Sequence, residues 1–225
     1  MACDEEAYKT FSELFGPVVQ DLHPRFDFRY SYHFEEICPH KINGVLDRMR
    51  DELEKMENCR LVLKRNFRGM PFLPHMSKDH KLQVERKVVE LVGELYGQYQ
   101  PLATLTDEEK EWYFTQGIDL ELDPVHNAAG MNDDYPLGRG IFKEENNQFL
   151  VLVNFEDHVE IHMLPGSGLN IFNALDQLKR LIKAFDKVGF ANDAYLGYLT
   201  TRPQEIGAAL RLSCTLTRGF EKTEN

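Results

Sequence analysis

The 225-residue chain has only four cysteines, Cys3, Cys38, Cys59 and Cys214, and no two stand at CxxC spacing. They read as free thiols in a reducing compartment, which implies the cytoplasm. Basic charge is also scarce: 26 Lys and Arg face 37 Asp and Glu, a formal charge of −11. Nucleic acid and anionic membrane surfaces draw basic patches, so neither is an expected partner. The longer apolar runs, such as Phe149–Val153, fall far short of the ~20 residues of a membrane helix. The acidic start, Met1-Ala2-Cys3-Asp4-Glu5-Glu6, lacks the basic-then-apolar layout of a signal peptide. Internal repeats and low-complexity tracts do not stand out either.

What is present suits a folded protein. Hydrophobic residues make up 42% and charged residues 28%, and the length fits one domain with a small appendage. Three regions differ in texture. Residues 1–44 predict one helix over about Glu5–Phe15, interrupted at Gly16-Pro17, then an extended aromatic arm at 25–34 (RFDFRYSYHF). Residues 45–217 form the main body, and 218–225 a frayed tail. In the body, Leu46, Met49, Leu53 and Met56 make a helical stripe that stops near Asn58. Cys59–Arg65 reads as a strand. A helix over Ser77–Tyr96 follows, with Ser77 as N-cap, and another begins at Thr106 with Glu109 closing a capping box. Strands are predicted at Gly140–Phe142, Gln148–Asn154 and Val159–Met163, the last ended by Pro165-Gly166-Ser167-Gly168. A helix spans 169–187, and two strands, Tyr195–Thr200 and Ala209–Leu216, close the body. This order predicts an α+β fold with a largely antiparallel sheet flanked by helices.

Generic motifs carry little. Gly166-Ser167-Gly168 lacks phosphate-loop spacing. Asp119, Glu121 and Asp123 alternate like calcium ligands but lack the glycine and closing Glu of an EF-hand, so they read as a solvated edge. His158, Glu160 and His162 share one strand face by alternation and read as a polar sheet face rather than a metal site. No metal is expected.

Five segments in order, however, resemble one family. LVLVNFEDH at Leu150–His158 is similar to the VNEEDH segment of the phosphagen kinases, the creatine and arginine kinase group. Tyr8–His23 resembles that family's linker, LVLKRNFR at Leu61–Arg68 its SxRVRxGR, Gly130–Phe142 the approach to its RGIW strand, and Tyr195–Arg211 its YVLTCPSNLGTGLR. The resemblance implies a truncated version of the family's C-terminal catalytic domain, without the small helical N-terminal domain and the last strands.

These enzymes move a phosphoryl group between MgATP and a guanidino nitrogen, mostly by positioning and cationic stabilisation. Carried over by resemblance, the arginine cage is broken. Its SxRxR arginines fall on Leu63 and Arg65, the one after EEDHL on Glu160, and that of TGLR on Arg211. The nucleotide-side histidine falls near Gly117 and the tryptophan before VNEEDH on Leu152. The first carboxylate of the pair is Phe155 and the second, the family's catalytic one, is Glu156. The substrate cysteine becomes Arg202 and the asparagine of CPSN becomes Glu205. Arg65 and Arg211 are thus nucleotide-binding remnants, and Arg202 is placed to pair with Glu156 or Glu205. The resemblance therefore implies a pseudoenzyme that needs no cofactor. Its expected role is structural or regulatory, with a protein partner or a second copy, and a cytoskeletal or axonemal assembly is one setting for it. The alternative is residual MgATP binding or phosphoryl transfer through Arg65, Arg211 and Glu156.

Overall fold

The computed structural model describes residues 1–24, 48, 50–120 and 123–216. The aromatic arm at 25–34, Cys38, most of the helix predicted after Gly44, Glu121 and the tail at 218–225 lie outside the described residues. Two helices open the chain, α1 (Ala7–Thr10) and α2 (Ser12–Leu22), and a short α3 (Arg50–Leu53) precedes β1 (Met56–Arg65). Then come α4 (Lys78–Val92), β2 (Gly97–Pro101), α5 (Asp107–Thr115) and α6 (Pro124–Ala128). The strands β3 (Gly140–Glu144), β4 (Phe149–Val153) and β5 (Val159–Ser167) lead into α7 (Ile171–Phe185). A two-stranded ribbon, β6 (Asn192–Asp193) with β7 (Gly197–Tyr198), and β8 (Leu210–Leu216) complete the order.

Six strands form one antiparallel sheet in the order β2-β3-β4-β5-β1-β8. The α+β expectation therefore holds. The middle of the sheet, β4, is an unbroken apolar run, as a strand covered on both faces should be. On one face Leu61, Leu63, Val151, Val153, Val159, Ile161 and Met163 meet Val84, Val88 and Val92 of α4 and Leu175, Leu178 and Phe185 of α7. On the other, Ile141, Leu150 and Leu152 pack under Leu102, Leu105, Tyr113 and Ile118, around α5. That second cover stops short of β5, β1 and β8, which leaves a polar cleft there. A third cluster joins Ala2, Ala7, Tyr8, Phe15 and Val19 to Phe72, Ala191, Leu199 and Ile206, so the N-terminal helices dock on the body. The Tyr8 hydroxyl donates to the Thr200 carbonyl (2.7 Å), and Ala2 N–H to the Thr201 carbonyl (2.8 Å). No helix among the described residues is long and apolar enough to cross a membrane.

Several predicted boundaries shift, each for a local reason. Gly16-Pro17 does not interrupt α2; the break falls at Phe11 instead, and burial of Phe15 and Val19 on either side of Pro17 carries the helix through. Met56 belongs to β1, not to a helical stripe, because it pairs with Leu216 across the sheet. Asn58, the expected helix stop, takes a positive φ of 48° inside a bulge of the strand. The helix from Ser77 ends at Val92, with Gly93 as its C-cap. β5 continues through Pro165 and Gly166 to Ser167, since Gly166 still pairs with Cys59 where the register is irregular. Of the strand expected at 195–200 only Gly197–Tyr198 pairs, with Asn192–Asp193. Both predicted caps are present: Ser77 accepts from His80 N–H, and Thr106 and Glu109 form a reciprocal capping box.

Candidate active site

The cleft is built on the uncovered face of β5, β1 and β8. Alternation decides who faces it. In β1, Leu61 and Leu63 enter the core, so Val62 and Lys64 must face the cleft, with Arg60 beside them. Across the strands, Lys64 is opposite Glu160, and Val62 lies between His162 and Arg211. The resulting cavity of about 510 Å³ is lined by Arg60, Lys64, Arg139 and Arg211 and by Asp119, Asp123, Glu156 and Glu160.

A tight loop brings Glu156 over the ends of β4 and β5. Asn154 turns the chain at a positive φ of 58°, a conformation asparagine tolerates well. Its amide is held by the Lys81 and Gly138 carbonyls (3.0 and 2.7 Å). Asp157 is fully buried, and its Oδ1 accepts from Asn66 Nδ2 (2.6 Å), Thr201 N–H (2.7 Å) and Thr201 Oγ1 (2.8 Å). His158 leaves the cleft altogether. It lies buried by Phe67 and Phe72, its Nδ1 accepting from Phe67 N–H (2.9 Å) and its Nε2–H donating to the Pro71 carbonyl (2.9 Å). The shared face expected for His158, Glu160 and His162 is thus corrected: only Glu160 and His162 face the cleft, because β5 begins after His158.

Glu156 is closed in by side chains from three elements. Lys64 Nζ from β1 and Arg202 Nε from the 199–202 segment both contact its carboxylate, and His126 Nε2 from α6 lies 3.3 Å away. Burial pushes this carboxyl up, but His126 and Lys64 outweigh it and hold the pKa below the usual value. Arg202 also reaches Asp123 (3.6 Å), the residue that caps α6, and His126 (2.7 Å). Lys64 in turn contacts Glu205, which pairs with Arg211 at 3.3 Å. The expected pairing of Arg202 with Glu156 is therefore present, while Glu205 is taken by Lys64 and Arg211. Lys64 is itself buried. Burial alone would lower its pKa, but Glu160, Glu156, Asp157 and Glu205 raise it above the usual value, so it stays charged. Glu160 accepts from Glu156 N–H (2.9 Å) and lies 3.3 Å from His162. Burial raises its pKa, yet Lys64 and His162 together hold it down to about 2. Carboxylates of Glu156, Asp157 and Glu205 come within 4.8 Å of one another, and the cation set between Glu156 and Glu205 is the Lys64 ammonium.

The other positions named from the sequence fall into place around this network. Leu152 is buried against α5, with Phe155 packed beside it. Gly117 follows α5 at a φ of +72°, and its carbonyl and that of Gln116 accept from Arg60 Nη1. Leu63 and Arg65, in contrast, lie on the core side of β1. Leu63 is fully buried, and the Arg65 guanidinium stacks 3.5 Å from the Tyr198 ring centroid while donating to the Lys64 and Ala208 carbonyls. Arg65 does not join Arg211 at the cleft. The cations that line it from β1 are Arg60 and Lys64, which the motif carry-over missed and strand alternation could have found.

The model of the ATP:guanido phosphotransferase C-terminal catalytic domain matches residues 80–217. The chain belongs to this family. Among its relatives, creatine kinase M-type of Torpedo marmorata is 32% identical over 94% of the chain, which spans 57% of that protein. The arginine kinase of Anthopleura japonica is 31% identical over 94% of the chain and 30% of its own length. The chain thus spans little more than half of the one relative and under a third of the other. In structure, the duplicated taurocyamine kinase of Schistosoma mansoni with bound transition state analog components superposes with a TM-score of 0.78. That match has 27% identity over 96% of this chain and 31% of the other. Lombricine kinase superposes with a TM-score of 0.80 at 24% identity, over 96% of this chain and 61% of the other. The fold is that of the phosphagen kinase catalytic domain, and the cleft on β5, β1 and β8 is its candidate active site.

Proposed function

We propose that this phosphagen-kinase-like chain is a catalytically silent member of its family, with a structural or regulatory protein-binding role in the cytoplasm. One observation carries the reading: the family's carboxylate position, Glu156, is already closed by Lys64 and Arg202. A guanidinium substrate needs that carboxylate free, and Arg202 beside it repels a second cation. The phosphate side is weakened as well. Lys64 and Arg211 spend their charge on Glu156 and Glu205, and Glu160 adds a buried negative charge to the cleft. Losing one preorganised cation or donor to a transition-state anion costs ~10²–10³ in rate.

The test is turnover. The chain is incubated with MgATP and, separately, creatine, arginine, taurocyamine or lombricine, the guanidino compounds in the relatives' names, beside an active creatine kinase. No ADP above background with any of them is expected; turnover with one overturns the proposal. A second reading, retained MgATP binding, is favoured by Arg60, Arg139 and Arg211 on the cleft wall. Ligand at ~100 times its Kd adds ~2.7 kcal/mol, a rise of roughly 6 °C in Tm for a domain of this size. A sharp melt with no rise in millimolar MgATP refutes that reading. Where such a protein would serve, a cytoskeletal or axonemal assembly is the first setting to examine.

A further inference from the structure

We propose that the outer edge of β8 is a self-association surface, where a second copy of this chain adds its own β8 antiparallel across a two-fold axis at Ser213. This is independent of whether the cleft turns over. β8 closes the six-strand order beyond β1, so its outer edge has no partner among the described strands. Such an edge is a template for pairing with another chain.

The strand's side chains are sorted for it. Leu212 is opposite Leu61 and Leu216 opposite Met56, so Leu210, Leu212, Cys214 and Leu216 share the apolar face of the sheet. Yet α7 packs on β5 and β1, and the row is left open: Leu212 is 40% and Leu216 47% exposed, and Cys214 is exposed too. Arg211, Ser213 and Thr215 occupy the other face. An axis perpendicular to the sheet at Ser213 keeps the two faces aligned between copies. It sets Leu210 against the partner's Leu216, Leu212 against the partner's Cys214, and Arg211 against the partner's Thr215. All seven residues of β8 are matched, the apolar row runs on without a break, and no like charges meet. Centring the axis on Arg211 instead would oppose two guanidinium groups. The occupant that this pattern fits is therefore the strand itself. Each copy carries a formal charge of −11, so long-range repulsion opposes the pairing and salt should strengthen it.

Sedimentation equilibrium of the full chain over about 1–200 µM, at low and high salt, tests the idea. The expected result is a reversible rise from 26.2 kDa toward twice that mass, at lower concentration in high salt. Thr215→Glu places a carboxylate against the partner's Arg211 and should tighten the dimer; Thr215→Arg opposes two cations and should loosen it. Two symmetric cross-strand pairs change, so the shift in Kd is about 2- to 30-fold each way. Glu57, opposite Thr215 within one chain, is the same in monomer and dimer and cancels. Leu212→Lys, at an exposed position, should weaken the dimer further. A monomer at every concentration and salt overturns the proposal, and so does a dimer whose affinity ignores these three changes, since its interface then lies elsewhere.

Discussion

Replacing Lys64 by methionine keeps most of the length of the side chain and removes its charge, at the point where the cleft depends on that charge most. Lys64 is 5% exposed and Glu160 6%, and Glu156 and Asp157 are buried beside them. In Lys64→Met these carboxylates lose their shared buried partner. Glu156 retains Arg202 and His126, Glu160 retains His162, and Glu205 retains Arg211. Breaking a buried pair by removing one member costs about 3–5 kcal/mol. With an unfolding entropy of ~2.1 cal/mol/K per residue, that is a fall in Tm of about 6–11 °C. The pH dependence separates this mechanism from simple loss of packing. Lys64 lowers the pKa of Glu156 and of Glu160, so in the variant both titrate at higher pH than in the parent. Protonation then relieves the repulsion, and the stability gap between parent and variant should narrow as pH falls from 7.5 to 5.5. Urea unfolding at the two pH values measures it. A gap below ~1 kcal/mol at pH 7.5, or one of equal size at both, would refute the reasoning.

Arg202→Ala should cost about 1–2 kcal/mol by urea unfolding, because Glu156 keeps Lys64 and His126; unchanged stability would show the Arg202 pair to be idle. Tyr8→Phe removes the buried hydrogen bond to Thr200 and should cost ~1 kcal/mol in the same assay, if the N-terminal helices unfold with the body. His158 and Asp157 should oppose each other in acid. Burial lowers His158 from 6.5 to about 4, so the unfolded chain binds the extra proton and stability falls as pH drops between those values; burial raises Asp157 from 3.8 to about 6, so stability rises over nearly the same interval. Each contribution is about 3 kcal/mol, and Asp157→Asn should unmask the histidine as a steeper acid loss in a pH series of melts, whereas an unchanged slope would count against it.

The parts of the fold that were legible in the sequence are those where one local rule decides. Ser77 and the Thr106–Glu109 pair announce their helices by side-chain chemistry, and the apolar stripe of α7 and the run in β4 show which faces are buried. What was not legible depended on residues far away in the chain. α2 passes Gly16-Pro17 because Phe72, Leu199 and Ile206 hold its buried face. Met56 joins a strand because Leu216 is there to pair with it. At the site, the motif identified Glu156, Glu160, Arg202, Glu205 and Arg211, all of which the structure brings together. It missed Lys64 and His126. His126 sits on a five-residue helix set by the Asp123 cap, and nothing in its local spacing tells of Glu156. Lys64 was within reach. Leu61 and Leu63 must be buried, so an alternating strand sends Lys64 to the opposite face and Arg65 to the core side.

Arg211 connects the two surfaces discussed above. It stands on the cleft face of β8, where it pairs with Glu205, while Leu210, Leu212 and Leu216 of the same strand point the other way. Glu205 also holds Lys64, and Lys64 holds Glu156. A perturbation at residue 211 therefore reaches the cleft network and the strand edge together, and its effect on either has no single cause. A substitution at 212 avoids this, since Leu212 points away from the carboxylate network, whereas residue 215 meets the partner's Arg211 in the dimer. Changes at 64 and 202 do the converse: they alter the cleft and leave the outer edge of β8 intact. Lys64→Met should then lose stability without changing the monomer–dimer balance, and Leu212→Lys should change that balance without altering the acid response of Glu156. Measured on the parent and these two variants, a crossed result in either direction would mean that the cleft and the edge are coupled through Arg211, and that partner binding at β8 is felt at Glu156.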